Sequence, residues 1–246
     1  MSKTGEVVCI TGGSGCIGSW IVRLLLDRNY TVHATVKDLK DEGETKHLEA
    51  LEGAATRLRL FQIDLLDYNS IFAAINGCSG VFHLASPNII DQVQDPERRT
   101  GQKVNGPRSF MAEVTRKIDQ PEKEKELTIS FSIFSAGCIE TYENIFMGSV
   151  HFKDVALAHI LLYENKSATG RHLCVEAISH YGDFVAKVAE LYPEYKVPSL
   201  PKDTQPGLLR EKNGAKKLMN LGLDFIPMDQ IIKDAVESLK NKGFIS

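Results

Sequence analysis

Three glycines, Gly12, Gly15 and Gly18, stand three apart in the stretch TGGSGCIG at residues 11–18. The apolar run Val7-Val8-Cys9-Ile10 precedes the stretch, and SWIVRLLLDR follows it. A buried strand that turns sharply into a helix leaves backbone N–H groups free at the helix start. Those groups and the helix dipole attract an anion. Gly12 permits the tight turn, Gly15 lets a pyrophosphate approach the backbone, and Gly18 lets helix and sheet pack closely. A bare glycine pattern also describes a plain glycine-rich turn. The strand before it and the helix after it favour a dinucleotide site.

The residue at the end of the second strand reads the cofactor type. An acidic group there grips the ribose 2′-hydroxyl of NAD, whereas a cation suits the 2′-phosphate of NADP. Lys37 follows Val36 directly, and Lys40 is close by. The preference is therefore NADP(H), although Asp38 is adjacent and Lys37 also reads as a solvated loop lysine.

The elements that must position these groups alternate along the first hundred residues. Strands are predicted at Glu6–Thr11, Tyr30–Val36, Arg57–Gln62 and Val81–Ala85. Helices are predicted at Gly15–Arg28, Glu44–Leu51 (stopped by Gly53) and Ser70–Ile75. The first helix carries Ile17, Trp20, Ile21, Leu24 and Leu25 on one face. Such alternation predicts an α/β fold, a Rossmann-like parallel sheet with helices on both faces.

The segment from 97 to 126 differs. From Arg98 to Lys117 it has six basic residues and one acidic one, without a helical or strand period. Its composition predicts a solvated, disordered stretch rather than a nucleic-acid contact. LTISFSIF, at 127–134, alternates apolar and hydroxyl residues and reads as a strand. Beyond Met147 regular structure returns: a helix over Lys153–Tyr163, a strand HLCVE, a helix over Asp183–Leu191, and an irregular run marked by Pro193, Pro198, Pro201 and Pro206. A final helix has Ile231, Ile232, Ala235, Val236 and Leu239 on one face. Three regions result: 1–96 as a dinucleotide-binding half, 97–137 as a polar, disordered segment that ends in the strand-like run, and 138–246 as a small C-terminal α/β region.

Of the 246 residues, 43% are hydrophobic and 25% charged, with net charge −3. That balance supplies no global attraction to nucleic acid or to an anionic membrane. No apolar span is long enough to cross a bilayer, and the first strand follows the N-terminus without a leader pattern. Five cysteines, an odd number and widely spread, fit reduced thiols in a cytoplasmic protein better than a disulfide frame or a zinc site. No metal site is expected.

The stretches TGGSGCIGSWIVRLLLDRNYTVHATVKD, FQIDLLD and GCSGVFHLASP resemble the extended short-chain dehydrogenase/reductase family, in its plant cinnamoyl-CoA reductase and dihydroflavonol reductase group. GSVHFKDVALAHILLYEN, GRHLCVEAISHYGDF and LGLDFIPMDQIIKDAVESLKNKGFI extend the likeness, which covers about 5–96 and 138–245. The resemblance implies an oxidoreductase of phenylpropanoid type, passing hydride between NADP(H) and the carbonyl of an aromatic acyl thioester, aldehyde or ketone. Thr11, Gly12, Ser14, Gly15, Cys16, Ile17 and Gly18 would hold the pyrophosphate. Lys37 would face the 2′-phosphate, with Glu44 near the point where the family often has a second basic residue. Asp64 and Leu65 would flank the adenine, and Ala85 and Ser86 the ribose and diphosphate. Asp64 equally suits a turn cap, and Ala85 and Ser86 a strand end. His83 reads as structural. The implied ligands are a nicotinamide dinucleotide and an aromatic small molecule, and the implied assemblies a homodimer or a heterodimer with an intact relative.

The same resemblance requires a serine and a Tyr-x-x-x-Lys on a helix, for acid–base work at the carbonyl. Between the fourth strand and GSVHFKDVA no tyrosine stands before Tyr142, and the residue four positions after it is Phe146, not lysine. Tyr192-Pro-Glu-Tyr-Lys196 matches the spacing, but it follows a C-terminal helix and contains Pro193, and so reads as a decoy. Ser130, Ser132 and Ser135 mimic only the serine. No catalytic residue is therefore assigned. The missing interval would also leave the fourth strand as an exposed edge, unless LTISFSIF covers it. Three kinds of protein fit these residues: an NADP-dependent reductase with impaired catalysis, a non-catalytic cofactor-binding or dimer-partner variant, and a truncated chain without function.

Overall fold

Strand β1 (Val7–Thr11) is apolar up to its last residue, and four of its five positions are buried, as expected of a parallel strand covered on both faces. In the computed structural model, which describes residues 5–85, 141–142, 144–198, 200–201, 213–241, 243 and 245, β1 turns through Gly12 into α1 (Cys16–Asp27). Helix α1 buries Ile21, Val22, Leu25 and Leu26, with Ile17, Trp20 and Leu24 packed at the margin of the same core. Each fully buried aliphatic side chain contributes about 1.5–3 kcal/mol. The exit is Asn29, whose φ of 62° is a left-handed value that asparagine tolerates.

Strand β2 (Thr31–Val36) leads to α2 (Glu42–Glu49). Asp41 sets the helix start, its Oδ1 accepting the Gly43 N–H at 2.8 Å. The helix therefore begins two residues before the expected Glu44. Gly53, at φ 78°, starts a short α3 (Ala54–Arg57) instead of stopping α2. Strand β3 (Leu58–Gln62), α4 (Tyr68–Ile75) and β4 (Gly80–His83) follow, with Asp67 capping α4 through the N–H groups of Asn69 and Ser70.

The α/β expectation holds. The four strands are parallel in the order β3-β2-β1-β4. The chain steps outward from β1 to β3, then returns to the far side of β1. The order thus reverses between β1 and β4, the point where ligands bind at the carboxyl ends of such strands. Among the described residues β4 is the last strand of this sheet. The expected neighbour at 127–134, the segment 97–137 as a whole, Ser86, Cys138, Ser130, Ser132 and Ser135 all lie outside the described residues.

Two compact units divide the described chain, the first holding 5–85 together with Val155–Gly170, the second the remainder. In the second unit β5 (Thr141–Tyr142) pairs in parallel with β8 (Leu200–Pro201), and β6 (Phe146–Ser149) pairs antiparallel with β7 (Ala177–His180). Helix α5 (Phe152–Glu164) begins there and continues into the first unit. Helices α6 (Tyr181–Leu191), α7 (Lys216–Asn220) and α8 (Met228–Asn241) complete the order. Tyr181, Val185 and Val188 pack with Ile232 and Val236 of α8. The expected strand HLCVE is irregular chain instead. The four residues of β6 are already paired with Ala177–His180, and neighbouring Cys174 and Val175 are both buried rather than alternating. No described helix is long and apolar enough to cross a membrane. Cys9, Cys16, Cys78 and Cys174 are free thiols.

The first unit carries an alkaline liability. Tyr30 is buried and donates to Glu164 Oε1 at 3.1 Å; burial, helped by that carboxylate, pushes its hydroxyl up to about 12. Burial pushes the Cys9 thiol up to about 12 as well. Both groups hold their protons longer folded than unfolded. Their contribution is thus complete below about pH 8.5 and is lost as pH climbs through about 12. Urea midpoints taken at stepped pH should be flat near neutrality and fall above about pH 9. Tyr30→Phe should flatten the part of that fall above about pH 10.

Candidate dinucleotide site

Parallel register brings the carboxyl ends of the strands into one row. Val36 pairs with Gln62, so Lys37–Asp38 and Asp64–Leu65 leave the sheet side by side. Thr11 pairs with His83, so Gly12 and Ala85 do the same across the switch point. The row thus runs from Asp64 and Leu65, past Lys37, to the glycine loop and Ala85, all within the first unit.

The loop is held by β2. The Gly12 N–H donates to Thr35 Oγ1 at 3.0 Å, and the Gly13 N–H donates to the Thr35 carbonyl at 2.9 Å. A Cβ at Gly13 would stand 2.8 Å from Ala34 Cβ. Gly12 has φ 70°, the left-handed turn expected of it, and closely faces Ala85. A Cβ on Gly18 would lie 2.2 Å from the Gly12 carbonyl oxygen, so this glycine is a packing requirement. Gly15 differs from both. Its nearest neighbour would be the Gly12 oxygen, at an ordinary 3.4 Å, and among the described residues no other atom lies within 4 Å. Gly15 is also the N-cap of α1, and no side chain caps the helix there. An uncapped helix start with an open approach fits a pyrophosphate, whose oxygens would accept from those N–H groups.

The remaining expected residues divide by what their side chains do. Thr11 is buried, and its hydroxyl accepts the N–H groups of Leu84 and Ala85, each at 3.1 Å, and lies 2.7 Å from His83 Nδ1. It thus ties the end of β4 to β1, with His83 in the structural place expected of it. Ile17 packs into the core, Ser14 is half-buried, and Cys16 is exposed. Asp64 Oδ1 accepts the Leu66 N–H at 2.9 Å, and its own N–H donates to Ser70 Oγ, so its carboxylate serves the turn after β3. Lys37 is exposed.

Thr35 escaped the sequence pattern, and Glu44, already marked by its position, has a role that the pattern did not give. Thr35 anchors the glycine loop; a hydroxyl inside a buried strand needs a partner, and that was its only signal. Glu44 sits where α2 opens and sends its carboxylate back to β2. Glu44 Oε2 accepts the Lys37 N–H at 2.7 Å and the Asp38 N–H at 3.3 Å. Tyr192, by contrast, ends α6, and Lys196 lies beyond the helix, so the two are not a turn apart on one helical face. Burial raises the Tyr192 hydroxyl, and the cation that opposes the rise is Lys240. Among the described residues no three of His, Cys, Asp or Glu gather as a metal-binding group.

The family model of GDP-mannose 4,6 dehydratase matches residues 9–136, over half of the chain. Cinnamoyl-CoA reductase 1 of Petunia hybrida is 34% identical over 317 aligned positions, covering 99% of this chain and 95% of that one. The chain belongs to the extended short-chain dehydrogenase/reductase family. Within that family it resembles the cinnamoyl-CoA reductase group. Because 317 aligned positions meet only 246 residues, at least 71 of them carry no residue of this chain. Among solved structures, vestitone reductase from alfalfa (Medicago sativa) matches with TM-score 0.72 and 25% identity, over 97% of this chain and 99% of that one. The yeast methylglyoxal/isovaleraldehyde reductase complexed with NADPH shares the fold, with TM-score 0.71 and 15% identity over 98% of this chain and 100% of that one.

Proposed function

We propose that this reductase-family chain binds NADP(H) through its β1–α1 loop and turns over little or no substrate. The observation that carries the binding half is the start of α1, which among the described residues is uncapped at Gly15 and open where a Gly15 side chain would stand. Lys37 at the end of β2 supports a 2′-phosphate, and a fold neighbour was solved with NADPH. Asp64, Leu65, Ala85 and Ser86 complete the proposed lining. The relatives point to hydride transfer at the carbonyl of an aromatic acyl thioester, aldehyde or ketone.

Two observations support lost turnover. At least 71 aligned positions are missing here, and the chain's one Tyr-x-x-x-Lys match is not helical. The protein would then act by holding cofactor, or by pairing with an intact relative.

Thermal unfolding in rising NADPH and NADH tests the binding half, because a ligand held only by the folded state must raise the transition temperature. A saturable rise, larger with NADPH, is expected. A clean transition that neither cofactor moves would overturn it. For the catalytic half, NADPH oxidation with a cinnamoyl thioester should stay at background. Turnover that Tyr192→Phe abolishes would refute the assignment of Tyr192 as a decoy.

A further inference from the structure

Glu44 is spaced from Asp41 as the two partners of a capping box, Asp at the N-cap and Glu three residues on. In that arrangement the glutamate would reach back to the N–H of the cap residue. It does not. The Asp41 N–H donates to the Asp38 carbonyl, and Glu44 Oε2 instead takes two consecutive N–H groups, those of Lys37 and Asp38, at 2.7 and 3.3 Å. The Asp38 carboxylate, the other acid at this corner, is engaged by the Lys40 N–H at 2.9 Å. Successive N–H groups just past a strand end form an anion-binding concavity. An anion of the protein's own fills it here, at the strand end where a dinucleotide's adenosine ribose is read.

We infer that Glu44 is a cofactor-selectivity residue, an internal carboxylate that competes with the 2′-phosphate of NADP(H) for the backbone donors of Lys37 and Asp38. The inference rests on the dinucleotide reading of the glycine loop. A 2′-phosphate arriving beside Lys37 must displace Glu44 or sit against its negative charge. A bare ribose 2′-hydroxyl meets no such repulsion and can donate to a carboxylate. Lys37 and Glu44 therefore pull in opposite directions, and the chain discriminates less between NADPH and NADH than Lys37 alone would make it do. Removing the charge while keeping the hydrogen-bonding shape should favour the phosphorylated ligand alone.

The test is isothermal titration of the full chain and of Glu44→Gln with NADPH, NADH, 2′,5′-ADP and 5′-AMP. Glu44→Gln should tighten NADPH and 2′,5′-ADP by about fivefold or more, fivefold being the size of one like-charge contact at about 4 Å screened to the dielectric of water. NADH and 5′-AMP should change by less than about twofold, since they lack the 2′-phosphate. Raising the salt should shrink the difference, because the site is open to solvent. Glu44→Lys should widen it, and its thermal transition reports whether α2 still folds. Unchanged ratios of NADPH to NADH and of 2′,5′-ADP to 5′-AMP in both variants would overturn the inference while leaving cofactor binding in place. Absence of binding by all four ligands in every folded variant would overturn it together with the dinucleotide reading.

Discussion

Gly18→Ala should lower the unfolding transition by about 10 °C and remove the response to NADPH. The added Cβ would stand 2.2 Å from the Gly12 carbonyl oxygen and 2.9 Å from Gly13 Cα. Both are backbone atoms, so no side chain can rotate away to make room. Helix α1 would have to lift from β1, loosening the contacts of Ile21, Val22 and Leu25 with the sheet. Overpacking of this kind costs about 3 kcal/mol. A change of that size moves the transition of a chain this long by about 6–12 °C. Calorimetry checks it directly, and an unmoved transition would mean that α1 does not lie on the loop as described.

Gly15→Val should do the reverse: leave the fold nearly untouched and abolish cofactor binding. Gly15 has φ −71° and ψ 166°, an extended backbone that valine adopts without strain. Among the described residues its Cβ would meet only the Gly12 oxygen, at van der Waals distance. Loss of a glycine N-cap costs under about 1 kcal/mol. The branched side chain would then fill the approach to the N–H groups at the start of α1. NADPH affinity should fall by at least about a hundredfold, since a pyrophosphate kept from those donors loses both their hydrogen bonds and the helix dipole. Titration calorimetry beside a melting curve separates the two effects. Equal NADPH affinity in Gly15→Val and the parent chain would show that the loop is a turn and not a phosphate site.

These two glycines show how far the linear pattern reaches. Spacing and flanking elements were enough to expect a role for each; the close packing is seen at Gly18, and the pyrophosphate role of Gly15 stands as a proposal. Strands and helices of the first eighty residues were legible for a related reason. Their apolar periods are strong, and a parallel α/β layering follows from alternation alone. Boundaries were less legible where a single polar atom decides them, as Asp41 does by starting α2 two residues early. HLCVE had the composition of a strand but lacked a free partner, because β6 offers only four residues and Ala177–His180 already hold them.

The sequence by itself determined the layered fold of the first unit, the place of the glycine loop between β1 and α1, and the membership of a reductase family. Each of these depends on local pattern, which a chain carries wherever it goes. Tertiary structure decided what the polar side chains near that loop actually do. Thr11 ties β4 to β1, Thr35 holds the loop, and Glu44 reaches back to two N–H groups at the end of β2. A hydroxyl or carboxylate takes whichever donor or acceptor the fold brings within about 3 Å. That choice is made between residues 6 to 74 positions apart, and no spacing along the chain announces it.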